Sequence, residues 1–210
     1  MKDNAKTIIF SIILGLICSI MLTAASLLTA PYRTANEKAE MVRNYLAVLE
    51  VPVDEKATAQ TLLDVFDKNV KMREIGNLTF YEYVPEGSAA GKLLAVAVPF
   101  SGPGLWAQIK GVIAFEPDLS TIRGIRFYQQ EETPGLGGEI GSAWFQKQFK
   151  GKSIVSSDGN AGFSILKPGG SSDNNSVDGI AGATLTADRV QVMLDKLAKD
   201  VWKERDSYGR

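Results

Sequence analysis

The hydrophobic pattern divides the chain into an apolar run, a helical stretch and a strand-rich remainder. Residues 8–30 read IIFSIILGLICSIMLTAASLLTA and contain no charged side chain. As a helix rising about 1.5 Å per residue, this run spans roughly 30 Å, the thickness of a bilayer's hydrocarbon core. We expect an N-terminal transmembrane anchor over residues 1–30. A cleaved signal peptide is the alternative, because Lys2 and Lys6 precede the run and small residues lie at 23–25.

After residue 30 the apolar side chains recur at helical spacing, which predicts two amphipathic helices within residues 31–75. The first contains Ala39, Val42, Leu46 and Leu49, and the second contains Leu62, Leu63, Phe66 and Val70. We interpret this stretch as a juxtamembrane helical segment with a hinge at Pro52.

From residue 78 the pattern changes to that of strands. LTFYEYV and LLAVAVPF read as one strand pair, and QIKGVIAF and TIRGIRFY read as a second. A short helix near Trp144, weak strands near 153–155 and 163–166, and a closing helix complete the chain. The pattern predicts an α+β domain over residues 76–205, an antiparallel sheet with flanking helices, preceded by one transmembrane helix.

Composition then removes whole classes of chemistry. The 210 residues include no histidine and one cysteine, Cys18, which lies in the apolar run. Catalytic triads, His-ligated zinc or haem, internal disulfides and cysteine-ligated clusters are excluded, and we expect neither a metal site nor a catalytic residue. The net charge of −1, with no basic stripe, argues against a nucleic-acid partner. Any electron transfer must use an organic cofactor.

The segment DGIAGATLT at residues 178–186 directly precedes the closing helix, which we expect to begin near Thr186 or Ala187. Small residues before a helix N-terminus let backbone N–H groups approach an anion, and the helix dipole favours negative charge there. The segment therefore indicates a phosphate-binding site. The alternative is ordinary helix capping by Thr184 or Thr186 after a tight turn.

A second loop, ETPGLGG at residues 132–138, follows a predicted strand. Its glycines let the backbone lie flat against a planar ligand, and Leu136 offers an apolar contact. A plain surface turn is the alternative. Trp106 could stack on a ring, although an aromatic side chain beside a strand is more often part of the core. Lys167 could contact a phosphate, although a loop lysine is more often solvated.

Together, ETPGLGG and DGIAGATLT resemble the FMN-binding domain shared by the C subunit of the sodium-translocating NADH:quinone reductase and the G subunit of the Rnf ferredoxin:NAD oxidoreductase. In that family FMN is attached through a phosphoester to the threonine that closes the second motif, which corresponds to Thr184. Ala181 departs from the Ser or Thr usual in the family. The resemblance also implies cofactor-binding roles for Glu132, Thr133, Gly135, Leu136, Gly137, Asp178, Gly182 and Ala183.

The resemblance implies a membrane-anchored, covalent-FMN electron-transfer subunit of an ion-translocating NADH:quinone oxidoreductase. Its partners would be other membrane subunits and a flavin transferase, and its place the bacterial cytoplasmic membrane, with the flavin domain on the periplasmic side. NADH oxidation would belong to another subunit, because the chain has no GxGxxG unit. The Rnf homologue, a stand-alone extracytoplasmic flavoprotein and an anchored binding module without flavin are the alternatives.

Overall fold

The computed structural model describes residues 2–54, 56–88, 91–170 and 173–209, so Met1 of the predicted anchor lies outside the described residues. The chain forms two compact units, Met1–Glu40 and Met41–Arg210. Its elements follow in the order α1 (Lys2–Val48), α2 (Ala59–Asn69), β1 (Val70–Ile75), β2 (Leu78–Tyr83), β3 (Ala95–Pro103), β4 (Gln108–Phe115), β5 (Ile122–Gln129), a 3-10 helix (Gly137–Gly141), α3 (Ala143–Lys147), β6 (Ser164–Leu166), β7 (Ser176–Asp178) and α4 (Thr184–Tyr208).

From Lys2 onward, the first unit consists of α1. An 18-residue window of this helix has a mean hydropathy of 2.6, and none of the window is buried within the protein. By length and composition α1 can therefore cross a membrane. The helix expected from residue 31 is not a separate element, because α1 continues through Pro31 to Val48. The juxtamembrane segment of residues 31–75 stays a prediction. Pro31 has no N–H to donate, so α1 lacks one backbone hydrogen bond at this position.

Residues 41–48 of α1 belong to the second unit, and the helix ends in a Schellman motif. The Val51 N–H donates to Leu46 O at 2.9 Å, and the Glu50 N–H donates to Ala47 O at 3.2 Å. Glu50 takes the left-handed conformation that this motif requires, with φ at 57°. Leu46 and Val51 are both buried in the second unit. The expected hinge at Pro52 is therefore not the border of the folded domain.

Within the described residues, β1 to β5 form an antiparallel sheet in chain order. This confirms the predicted fold class, and the four predicted strands correspond to β2, β3, β4 and β5. β6 corresponds to the weak strand expected near 163–166, and it pairs in parallel with β7, which the sequence pattern did not predict. The weak strand expected near 153–155 forms isolated bridges instead.

Both faces of the large sheet are covered, which explains the continuous apolar run along β3. Ala95 and Ala97 belong to one buried cluster, together with the end of α1 and with α2. Val96 and Val98 belong to the other cluster, together with α4. Small side chains let a helix approach one face closely, while larger ones fill the space beneath α4 on the other. This packing fixes the start of α4 relative to the loops that follow β3 and β5.

Candidate cofactor site

Loops that are far apart in sequence meet at one shallow cleft of about 240 Å³. The turn between β3 and β4, the loop after β5 and the start of α4 all contribute to it. The structure therefore brings the two sequence motifs together. The lining residues are Leu105, Glu132, Thr133, Leu136, Gly137, Gly182, Ala183, Thr184, Leu185 and Thr186.

The carboxylate of Glu132 joins the walls of the cleft. Its side chain is 4% exposed, and one oxygen accepts hydrogen bonds from the N–H groups of Leu105, at 2.8 Å, and Trp106, at 3.2 Å. The other oxygen accepts a hydrogen bond from the Thr186 hydroxyl at 2.6 Å. A buried carboxylate is tolerated when donors replace its lost water. Glu132 thus connects the β3–β4 turn to the first turn of α4.

The glycines around Glu132 are required by this close packing. A Cβ on Gly137 would overlap Thr186 Oγ1 and lie 3.0 Å from Glu132 Oε2. A Cβ on Gly104 would lie 2.5 Å from Glu132 Oε1. Both distances are shorter than carbon–oxygen van der Waals contact. Gly137 therefore makes room for protein atoms, whereas the sequence predicted that it lets the backbone approach the ligand.

Gly135 and Gly182 shape the two sides of the cleft. They adopt left-handed conformations, with φ at 74° and 78° respectively, which glycine accepts without strain. The turn at Gly135 lets the Leu136 N–H donate to Thr133 O at 3.1 Å. Leu136 then lies across the cleft, and its Cδ2 atom is 3.0 Å from where a Cβ on Gly182 would be. The ligand-facing surface is therefore built by the predicted loops, although Gly135 itself is not among the lining residues.

α4 begins at Thr184, earlier than the sequence predicted. Ala183 occupies the N-cap position without a side-chain hydrogen bond, and the Ala187 N–H donates to Ala183 O at 3.0 Å. Neither threonine caps the helix. Thr184 is exposed, and its hydroxyl has no hydrogen-bond partner in the part of the chain that the structure describes. The N–H groups of residues 184–186 precede the Ala187 N–H, the first donor of the helical hydrogen-bond series, so no carbonyl of the helix accepts from them. These N–H groups and the helix dipole favour an anion here.

Large apolar side chains are exposed around the cleft. The exposed fractions are 71% for Trp106, 62% for Leu185, 45% for Leu105 and 43% for Leu136. The interpretation of Trp106 as a core residue is wrong, because it lies on the turn between β3 and β4. Clustered exposed apolar side chains commonly mark a binding surface. Here they provide a surface suited to a planar aromatic ligand.

Two further candidate residues lie away from the cleft. Asp178 ends β7, where its N–H donates to Gln148 Oε1 at 3.0 Å and its carbonyl accepts from Gln148 Nε2 at 3.1 Å. This double link fixes the backbone that leads into residues 179–186. Lys167 is exposed in the loop after β6 and does not line the cleft.

Leu105, Leu185 and Thr186 line the cleft but were not predicted from the sequence as ligand contacts. Leu185 carried a usable signal, because it falls outside the buried stripe of α4 that includes Val190 and Leu194. An apolar residue off the buried stripe, next to a candidate attachment residue, indicates a ligand contact. The other two positions depend on how distant loops meet, which a local pattern does not contain.

The site fits both ends of a flavin mononucleotide. The start of α4 suits its phosphate, and the exposed apolar side chains suit its ring. The cleft is smaller than the roughly 300–1,000 Å³ of most small-molecule sites, so part of such a ligand would stay outside it. Among the described residues there is no group of His, Cys, Asp or Glu that could hold a metal ion.

Comparison with known proteins points to the same cofactor. The model of the FMN-binding domain family matches residues 104–199, which include all three segments of the cleft. The C subunit of the Na(+)-translocating NADH-quinone reductase of Haemophilus ducreyi is 28% identical over 222 aligned positions, covering 89% of this chain and 86% of that protein. The corresponding protein of Neisseria meningitidis is 43% identical over 101 residues, covering 48% of this chain and 39% of that protein.

Solved structures agree with the fold. The crystal structure of the reductase's C subunit from Parabacteroides distasonis superposes with a TM-score of 0.68 at 25% identity, covering 83% of this chain and 94% of that one. NqrC from Shewanella oneidensis gives the same TM-score at 24% identity, covering 82% and 99% of the two chains. The resemblance of the two motifs, the cleft that they form and these comparisons all agree. Residues 104–199 match the FMN-binding domain family, and most of the chain is similar in sequence and fold to C subunits of the Na(+)-translocating NADH-quinone reductase.

Proposed function

We propose that this chain is the FMN-carrying electron-transfer subunit of a Na+-translocating NADH:quinone oxidoreductase, with FMN joined through its phosphate to the hydroxyl of Thr184. The observation that carries the proposal is the exposed Thr184 hydroxyl, which lies at the first turn of a 25-residue helix and lines a cleft built from both motifs. FMN, when bound, supplies one- and two-electron redox chemistry. The chain supplies attachment, orientation and electrostatics.

The start of α4 would hold the phosphate. A phosphodiester on Thr184 is anionic at physiological pH, and the N–H groups of residues 184–186 together with the helix dipole stabilise that charge. Gly182 and Ala183 carry no large side chain, so they leave the hydroxyl accessible to a flavin transferase. We assign that enzyme as the maturation partner. Ala181 contributes no hydroxyl to this site.

The apolar side chains around the cleft would orient the ring. Leu136 and Leu185 provide apolar contacts and exclude water from the surface that they cover. Glu132 lines the cleft, but its oxygens already accept three hydrogen bonds, so we assign it no proton-transfer step. Because the cleft is shallow, an edge of the cofactor would remain open. Electrons can then pass directly to a redox centre in a neighbouring subunit, without a diffusing substrate.

The proposal predicts a covalent flavin on wild-type protein and none on the Thr184→Ala variant. Both chains would be co-expressed with a flavin transferase in an exporting bacterium, purified, denatured and weighed intact. We expect the wild-type mass to rise by one FMN less one water, because a phosphoester forms with loss of water. Thr184→Ala should keep the unmodified mass and lose in-gel flavin fluorescence. Thr133→Ala, which changes another exposed threonine in the cleft, is the matched control and should stay flavinylated.

An unmodified wild-type chain, with a transferase shown to be active on another substrate, would contradict the covalent attachment. A Thr184→Ala chain that still carries the added mass would move the attachment to another residue.

We also propose that the flavin domain lies on the extracytoplasmic side of the membrane. In a Cys18→Ser background, a cysteine at exposed Asp158 should react with a membrane-impermeant maleimide in cells with a permeabilised outer membrane. A cysteine at Asn4, beyond the other end of the apolar run, should react only after the cells are lysed. The opposite labelling pattern would place the domain in the cytoplasm.

A further inference from the structure

A second pocket of about 260 Å³ shares no lining residue with the flavin cleft. It lies between the last turn of α1, strand β5 and helix α3, all in the second unit. We call it the basic pocket. Its lining comprises the charged residues Glu50, Arg123, Arg126, Lys147 and Lys150, together with Ala47, Val48, Gly124, Ile125, Ala143 and Gln146.

Two of its four cations are already neutralised. Arg123 Nε lies 3.2 Å from Glu50 Oε2, and the Lys150 ammonium donates a hydrogen bond to the other oxygen of the same carboxylate. The Lys150 hydrogen bond, with that of Arg123, holds the pKa of Glu50 below its usual value, so this carboxylate stays charged. Arg123 also lies 3.8 Å from a Glu116 oxygen. These two cations therefore have their counter-charges within the domain.

The other two cations, Arg126 and Lys147, have no carboxylate within ion-pair distance in the described part of the chain. Both side chains are exposed. The protein carries a net charge of −1, so this pair is a local positive site on a nearly neutral molecule. An excess of cations in a concave surface attracts an anionic group.

A buried amide orients Arg126. Arg126 Nη1 donates to Gln146 Oε1 at 3.3 Å, and Gln146, which is 7% exposed, donates through Nε2 to Gly141 O at 2.9 Å. The guanidinium is therefore held in place before any partner arrives. A preorganised guanidinium favours a bidentate contact with a carboxylate. Arg126 therefore loses less side-chain conformational entropy on binding than an arginine without such a hydrogen bond.

We propose that the basic pocket docks an acidic segment of a neighbouring subunit, with an Asp or Glu carboxylate contacting Arg126 and Lys147. The exposed apolar part of the lining, Ala47 and Ala143, suits the methylene groups of an acidic side chain better than a hydrated inorganic anion. This inference rests on the proposed function, because it requires a multi-subunit complex.

Docking at the basic pocket would also support the flavin cleft. Gln146 holds the carbonyl of Gly141, which ends the 3-10 helix that begins with Gly137 in the cleft wall. A partner carboxylate on Arg126 would fix the amide that holds this short helix. The docked subunit would thus position the loop that contacts the cofactor.

The test uses the whole complex, purified through a tag on another subunit, with this chain as wild type or as Arg126→Glu/Lys147→Glu. We expect the charge-reversed chain to be retained about tenfold less after a wash at moderate salt, because two attractive contacts become repulsive. Lys71→Glu/Lys92→Glu makes the same change of charge at exposed positions outside the pocket and should be retained like wild type. Equal retention of the pocket variant at every salt concentration would overturn the inference.

Flavin fluorescence of each purified chain separates this inference from the proposed function. A wild-type chain that lacks flavin or fails to join the complex contradicts the proposed function. A flavinylated pocket variant that dissociates supports the docking site. If the double variant loses its flavin, Lys147→Glu decides alone, because this exposed side chain has no hydrogen bond or ion pair among the described residues.

A photo-crosslinker, p-benzoylphenylalanine in place of Lys147, identifies the occupant within the purified complex. A crosslink to an Asp- or Glu-containing peptide of another subunit supports the inference. A lipid adduct, or a crosslinked peptide without acidic residues, overturns it.

Discussion

Replacement of Glu132 by Ala should destabilise the protein by about 3 kcal/mol, because three donors lose their acceptor at once. These donors are the N–H groups of Leu105 and Trp106 and the hydroxyl of Thr186. The site is 4% exposed, so water cannot replace the carboxylate without a rearrangement of the loops. Denaturant unfolding of the detergent-solubilised full chain, followed by tryptophan fluorescence, measures the change.

Glu132→Gln tests whether hydrogen bonding or charge matters at this position. The amide oxygen can accept from the N–H groups of Leu105 and Trp106, and the amide NH2 can donate to Thr186 Oγ1. We therefore expect a loss of about 1 kcal/mol for Gln. Glu131→Ala, at the exposed neighbouring position, should change stability by less than about 0.5 kcal/mol. If the denaturant midpoint of Glu132→Ala equals that of wild type, Glu132 does not link the β3–β4 turn to the first turn of α4.

The strands that lie inside the sheet could be predicted, because their sequences are apolar at the positions that the fold buries. QIKGVIAF corresponds to β4, which pairs with strands on both sides and is buried along most of its length. β1 was not predicted. It is an edge strand whose sequence, VKMREI, exposes most of its side chains, as edge strands commonly do to resist aggregation. β1 is a strand because it pairs with β2, and its own hydrophobic pattern does not indicate a strand.

Helix ends were harder to predict than helix interiors. The end of α1 requires a positive φ at Glu50, a conformation that sequence patterns assign to glycine or asparagine. The start of α4 lies at Thr184 because Ala183 O accepts the first helical hydrogen bond, although Ala is a poor N-cap residue. In both cases contacts with the rest of the domain override the local preference.

The two motifs of the site could be identified from the sequence. The physical role of each residue within them could not always be predicted. Thr184 and Leu136 lie in the cleft as expected, and Asp178 instead fixes the backbone through Gln148. Glu132 and Gly137 form the structural centre of the site, because the carboxylate must fit between loops that are distant in sequence. A linear pattern shows which residues occur together, while their division into ligand contacts and supporting contacts requires the packed structure.

Replacement of Gly137 by Ala should destabilise the protein by about 2–3 kcal/mol, a typical cost of overpacking a tight site. The added methyl group would overlap Thr186 Oγ1 and crowd Glu132 Oε2, so it would break the hydrogen bond between these two side chains. Glu132 and Thr186 are both buried, so neither side chain has space into which it can move. Flavinylation should fall as well, since the same contact positions the first turn of α4 beside Thr184.

Gly141→Ala is the matched control, because Gly141 ends the same 3-10 helix and an added Cβ there would meet no atom within 4 Å. It should change stability by less than about 0.5 kcal/mol and keep the flavin. Thermal unfolding and in-gel fluorescence of the two variants, side by side, separate the steric effect from the general cost of replacing glycine in this helix. If Gly141→Ala is as destabilising as Gly137→Ala, glycine's conformational freedom explains both losses. If it is neutral, the loss at Gly137 comes from the contact between Glu132 and Thr186, and this contact joins the loop of residues 132–138 to the first turn of α4.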